Sequence, residues 1–250
     1  VSHPIFTPEG PSKGALRIVQ LYPDDMNIYG DWGNTLTLAR RAAWHGYSPE
    51  IVDYNVGDAF PEDADVIVGG GGQDSGQFKI IDDLARIADR LTGLAADGSP
   101  MLVICGMYQL FGHEFETLSG RVLPGLGILD LTTKGTDERL IGNVVTESDE
   151  FGRIVGYENH SGKTVLGSGA EPLGRVVVGA GNNGEDETEG ARHANVLGTY
   201  LHGSLLPKNP ALADCLLRTA AERRHGEFVP GALDDSLEER ARRSAEKRPR

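Results

Sequence analysis

Four short apolar runs, LRIVQLY (16–22), PEIVDYN (49–55), DVIVG (65–69) and MLVIC (101–105), are separated by stretches whose apolar residues recur at helical spacing. This alternation constrains the fold more than any other feature. Short strands interleaved with helices indicate a parallel, doubly wound sheet covered by helices. The first helix is expected from about Thr35 to His45, with Leu36, Ala39 and Ala43 at helical spacing and Gly46 as its stop. A second is expected over FKIIDDLARIADRLTGL (78–94): Ile80, Leu84, Ile87 and Leu91 line one face, with Asp82, Asp83, Arg86 and Arg90 off it. The expected fold class is α/β, a three-layer α/β/α sandwich around a mostly parallel sheet.

From about residue 121 the pattern changes. GILDL, RLIGNVVTES, GRIVGYENH and RVVVGAG read as strands separated by glycine turns, with no long helix between them. This β-rich second half either shares the first sheet or forms an inserted antiparallel layer. ANVLGTYLHG (194–203) returns to a buried strand. Asn209 then reads as an N-cap, with Pro210 at the first position of a helix running to about Arg224. Residues 1–14, rich in Pro, Gly and Ser, are expected to be a flexible arm, and residues 15–226 the folded domain. Residues 227–250 are expected to be a charged, disordered tail, since SLEERARRSAEKRPR carries six basic and three acidic side chains and no apolar face.

A chain of 250 residues can bury a full core. Its net charge of -13 argues against non-specific binding to nucleic acid or to an anionic membrane surface. No apolar run approaches the length of a membrane span, and no signal-peptide pattern opens the sequence. The two cysteines sit in unlike contexts and do not suggest a disulfide framework, so a reducing, cytoplasmic setting is expected.

Chemistry concentrates at two strand ends. Cys105 closes the run MLVIC and is followed at once by Gly106 and the start of a helix, whose positive end favours a thiolate. The Gly106 amide, with no side chain in its way, can point at an oxyanion. GGGGQDSG (69–76) follows another strand of the same sheet, and its amides can form an anion-binding nest. It lacks the GK[ST] ending of a P-loop and does not fit GxGxxG, so nucleotide binding is disfavoured. His202, in YLHG, also follows an apolar run, which allows a Cys–His pair assembled in space. His160, in GYENHSG, is its main competitor. The bland readings are a buried structural cysteine and a satisfied core histidine. Cys215, beside Leu212, Leu216 and Leu217, reads as core. No His or Cys pair has zinc-ligand spacing, so no metal site is expected.

Strand–GGGGQD–helix–strand–CGMYQ, followed by GYENH and YLHG, resembles the class I (triad-type) glutamine amidotransferase domain. The likeness is greatest to the cobyric acid synthase-like branch, where the corresponding motifs read CGGYQ, YEIH and YLHG. Within that branch the chain is most similar to the GatD group, glutaminase subunits of lipid II isoglutaminyl synthase. The resemblance implies that Cys105 attacks the side-chain amide of L-glutamine and that His202 takes the thiol proton and later protonates departing ammonia. It implies that the Gly72 and Gly106 amides hold the oxyanion, and that Gln109 and Arg139 contact substrate, the arginine through the glutamine carboxylate. No cofactor is implied in this chain. ATP and magnesium belong to a separate MurT-like Mur ligase subunit, with which the chain would form a heterodimer. That partner would spend the ammonia on D-glutamate of the lipid II stem peptide, giving D-isoglutamine.

Two departures from the family pattern stand out. The usual glutamate two residues after the histidine is replaced by Ser204. A neutral hydroxyl cannot stabilise an imidazolium as a carboxylate does. An acid from elsewhere in the chain, an acid from the partner, or a bare dyad could fill the role; the partner is the expected source. Met107 stands where the branch has glycine and is expected to narrow the pocket mouth. Three other readings stay open: an amidotransferase for another synthetase such as a corrinoid-type one, a cysteine hydrolase of similar fold, and a non-enzymatic binding module.

Overall fold

The computed structural model describes residues 6–249. In chain order, β1 (Ala15–Leu21), α1 (Trp32–His45), β2 (Ser48–Tyr54), β3 (Val66–Gly69), α2 (Asp74–Arg86), α3 (Ala88–Ala96), β4 (Met101–Ile104) and α4 (Gly106–Phe111) build the first half. They are followed by β5 (Glu114–Glu116), β6 (Val122–Pro124), β7 (Leu131–Ser148), β8 (Gly152–Leu166), β9 (Gly174–Val178), β10 (Thr188–Glu189), β11 (Ala191–His193) and β12 (Val196–Thr199). Helices α5 (Pro210–His225) and α6 (Ser236–Glu246) end the chain.

The first sheet has the order β11-β12-β4-β3-β1-β2 and is parallel except for β11. From β1 the chain steps one way to β2, then returns to β3 on the other side and continues to β4. Right-handed crossovers in opposite directions place α1 on one face and α2–α3 on the other. Helix α5 joins α1, packing against it and against β1 and β3. Strands β3 and β4 are buried at every residue, as befits strands covered on both faces.

Strands β5–β10 form a distinct, mostly antiparallel sheet, β10-β9-β7-β5-β6 with β8 on β7, while β11 and β12 extend the first. Its backbone is the long β7–β8 hairpin, whose register slips between Gly135 and Leu140. The bulge re-aims the side chains of residues 136–139.

Four expectations are corrected. The helix expected over residues 78–94 is two helices broken at Ile87 (φ -101, ψ 7). Ile80, Leu84, Ile87 and Leu91 are all buried across the break, so periodicity alone could not reveal it. Asp83 does not lie on a solvated face: it is buried and accepts hydrogen bonds from the Tyr22 and Tyr54 hydroxyls and the Gly57 amide. Asn209 precedes α5 as expected, but its side chain does not cap it. It accepts from Val155 N and donates to Val155 O and Leu205 O, tying the helix start to β8. The tail is not disordered throughout, because α6 forms and packs on β7 and β8. Part of the expected N-terminal arm, residues 1–5, lies outside the described residues.

Arg41 explains how the tail is held. Its side chain is 2% exposed and reaches Asp214 on α5 at 2.7 Å and Asp235, just before α6, at 2.6 Å. His45 adds a third contact to Asp214 at 3.0 Å. Burial would raise the Asp214 carboxyl, but His45 and Arg41 outweigh it and hold it below its ordinary 3.8. An exposed ion pair is worth at most about 1 kcal/mol. Asp214→Ala leaves Arg41 paired with Asp235 but removes its other charge-assisted hydrogen bonds and the partner of His45, so it is expected to destabilise the fold by about 2 kcal/mol at pH 7, read by urea unfolding. In wild type that contribution is present above the ordinary carboxylate pKa and is lost as pH falls through the depressed one.

Candidate active site

The strand order reverses between β1 and β3, and the loops leaving the C-terminal ends of β1, β3, β4 and β12 converge there, where open α/β sheets bind ligands. Cys105 occupies the turn from β4 into α4 with φ +49 and ψ -103. Such a conformation costs a side-chain-bearing residue on the order of 1–3 kcal/mol. It is held by Cys105 N donating to Thr199 O and Gln109 N donating to Cys105 O. Helix α4 has only six residues, so its dipole is a minor aid to the thiol.

The larger electrostatic effect comes from His202. Its backbone N–H donates to Tyr157 O on β8, which seats the residue between the two sheets. Its side chain is fully buried, and Nδ1 lies 2.9 Å from Asp31 Oδ2. Asp31, in the loop between β1 and α1, is also fully buried and accepts from Gly71 N at 2.9 Å. An acid of this chain therefore stands behind the histidine, and the expectation that a partner supplies one is corrected. Ser204, at the usual acid position, donates instead to Gly30 O, pinning the loop that carries Asp31.

Burial alone would push the His202 imidazole down. The charge and hydrogen bonding of Cys105 and Asp31 outweigh it and hold the ring up at about 10. With Nδ1 taken by Asp31, Nε2 is the working nitrogen. It is buried and has no hydrogen-bond partner of full geometry among the described residues, although Cys105 is near enough to act on the ring. A nucleophile and base in reach but not locked can tighten as the proton moves.

The three side chains meet around Gly71. A Cβ there would lie 2.5 Å from His202 Cε1, 3.1 Å from Cys105 Cβ and 3.2 Å from Asp31 Oδ2. No side chain fits at that position without displacing the constellation. Gly106 is equally confined: a Cβ would lie 2.7 Å from Met26 Cε and 3.1 Å from Gly72 N. The structure thus brings Gly72 and Gly106 side by side next to Cys105.

The remaining candidates lie around this centre in differing roles. Gln109 is buried, with Oε1 accepting from Gln77 and Nε2 donating to the Tyr200 hydroxyl, so most of its amide is committed within the protein. Gln77 also donates to Gly106 O, bracing the turn after the nucleophile. Arg139 lies on the β7–β8 bulge. Its Nε donates to Asn159 Oδ1 at 2.7 Å and Nη2 to the Tyr29 hydroxyl at 3.3 Å. The Tyr29 ring sits edge-on to His202, so Arg139 stands at the rim of the site. His160, the competitor to His202, is stacked on Tyr200, and its Nδ1 lies 2.8 Å from Gly162 O. Burial drives it down to about 4 despite that bond, so it stays neutral. Met107 does not narrow the mouth: it is fully buried against Gly69, facing the core.

A thiol on a strained turn, an imidazole raised by that thiol and a buried carboxylate, and two adjacent glycine backbones form an arrangement able to attack a carbonyl carbon. A model of the CobB/CobQ-like glutamine amidotransferase domain matches residues 17–210 of the chain. The chain is 41% identical over 228 residues, 91% of its length and 93% of the relative's, to the lipid II isoglutaminyl synthase (glutamine-hydrolyzing) subunit GatD of Staphylococcus aureus. With the subunit of that name from Streptococcus pneumoniae, identity is 37% over 217 residues, covering 86% and 84% of the two chains. Among solved structures, a glutamine amidotransferase superposes with a TM-score of 0.57 at 19% identity, covering 81% of this chain and 98% of that one. That last likeness concerns the fold alone.

Proposed function

The chain belongs to the CobB/CobQ-like glutamine amidotransferase domain family, and from that premise we propose that it is a glutaminase subunit releasing ammonia from L-glutamine. The observation that carries the proposal is the line Asp31–His202–Cys105 set beside Gly72 and Gly106. Cys105 Sγ attacks the carboxamide carbon, its proton having passed to His202. The amides of Gly72 and Gly106 hold the oxyanion that forms. His202 then gives its proton to the leaving nitrogen, ammonia departs, and a thioester to Cys105 remains. Water attacks the thioester, His202 takes a proton from it and returns it to the thiolate, and glutamate leaves. Arg139 holds the substrate carboxylate at the rim, while Gln109 and Gln77 brace the nucleophile turn.

The ammonia goes to an ATP-dependent MurT-like ligase subunit, which amidates D-glutamate of the lipid II stem peptide to D-isoglutamine. The likeness to the two GatD subunits over most of the chain supports this assignment. The setting is cytoplasmic, consistent with both cysteines being free thiols and with no described helix long and apolar enough to cross a membrane. The test supplies glutamine labelled at the amide nitrogen to the chain coexpressed with the ligase, ATP and lipid II. Label in the stem-peptide carboxamide is expected. Glutamate release without transfer to lipid II would favour a different synthetase partner, and no glutamate release at all would sink the glutaminase reading.

A further inference from the structure

Tyr29 touches both working ends of the site. It lies between β1 and α1, two residues before Asp31. Its ring meets the His202 imidazole edge-on, with centroids 4.6 Å apart and planes at 62°. Its hydroxyl accepts from Arg139 Nη2 at 3.3 Å. Arg139 needs such a hold. It is an exposed side chain on a bulged segment, with Asn159 Oδ1 as its other hydrogen-bond acceptor among the described residues. A long cation in that position keeps one direction only if fixed acceptors repay its rotamer entropy.

The loop that carries Tyr29 is itself fixed. Ile28 N donates to Gly71 O, Gly30 N to Asn27 O, and Gly30 O accepts from the Ser204 hydroxyl. The tyrosine is therefore a rigid spacer, with the imidazole on one side and the guanidinium on the other. A substrate gripped by its α-carboxylate at Arg139 must reach Cys105 with its carboxamide carbon, and the number of methylenes between them decides whether it does.

We propose that Tyr29 is a positioning residue that sets substrate length, holding Arg139 at the separation from Cys105 and His202 that suits glutamine and rejects asparagine, one methylene shorter. The inference rests on the glutaminase reading. Small misplacements of a bound group cost large factors in rate, and one methylene is commonly worth about 10- to 200-fold in discrimination.

The test uses the full chain coexpressed with its ligase subunit, and measures glutamate release from glutamine and aspartate release from asparagine. Tyr29→Phe keeps the ring on His202 and removes only the hydroxyl. It is expected to raise KM for glutamine about tenfold, change kcat less than about twofold, and lower the glutamine-to-asparagine preference about tenfold. Because the hydroxyl acts through Arg139, Tyr29→Phe on an Arg139→Ala background is expected to add nothing. An unchanged KM and preference in Tyr29→Phe, or effects that simply add to those of Arg139→Ala, would overturn the role of Tyr29 while wild-type glutamate release leaves the glutaminase reading standing. Wild-type chain that releases no glutamate would remove both. Equal melting temperatures of wild type and Tyr29→Phe guard against loss of fold as the cause.

Discussion

Cys105→Ser is expected to cut glutamate release by at least about four orders of magnitude while leaving the chain folded. The packing has no reason to notice the change. Cys105 is 7% exposed, serine is no larger, and both anchoring hydrogen bonds of the turn are made by backbone atoms. The strain at φ +49 is equally a backbone cost. What is lost is a proton that can move. The raised His202 imidazole draws a proton from a thiol readily, whereas an alcohol holds its own far more tightly. The check pairs a glutamate assay with thermal melts of both proteins. A serine variant within tenfold of wild type would exclude Cys105 as the nucleophile, whatever the merits of the surrounding geometry.

Much of this centre was legible because its parts lie at strand ends. The runs ending at Gly69 and Cys105 and the run before His202 announce buried strands of one sheet, and ends of parallel strands share an edge. What sequence reasoning missed is information carried by topology. Asp31 reaches His202 across 171 positions of chain, and nothing local distinguishes it from the other acids of the loop PDDMNIYGD. A weak signal existed: the loop follows β1, which neighbours β3, so it opens beside the glycine turn. Met107 was misplaced because its direction depends on the turn at Cys105, which aims it at Gly69. Helix α6 was missed because its anchor, the pairing of Arg41 with Asp235, joins residues 194 apart. Charge-rich composition describes the exposed face of such a helix and is silent about one buried arginine elsewhere.

Asp31→Asn bears on the point where expectation and structure disagreed, the source of the acid. It is expected to lower kcat about a thousandfold and also to lower the melting temperature at pH 7, where the raised imidazole still contributes stability. Asp31 Oδ2 accepts from both His202 Nδ1 and Gly71 N, while Oδ1 is buried without a partner among the described residues. An asparagine must place its oxygen at one site and bury its NH2 at the other. Either it keeps both hydrogen bonds and strands the NH2, or it turns the NH2 toward the imidazole and favours the wrong tautomer. In both cases the negative charge is gone, and the imidazole falls from about 10, with Cys105 alone left to hold it up against burial. In the proposed mechanism protonated His202 releases ammonia, so the alkaline limb of the kcat profile is expected to move to lower pH.

The stability profile must change in the same sense. A histidine raised in the folded state contributes stability that is whole below its ordinary pKa and lost as pH rises through the raised value. Wild type is thus expected to weaken between pH 6.5 and about 10, and Asp31→Asn to weaken less over that range. A pH profile and kcat that ignore Asp31→Asn, with activity instead depending on a carboxylate of the ligase subunit, would return the acid to the partner. A joint loss of rate and of the alkaline limb in the variant would mean that the catalytic line is complete within one chain.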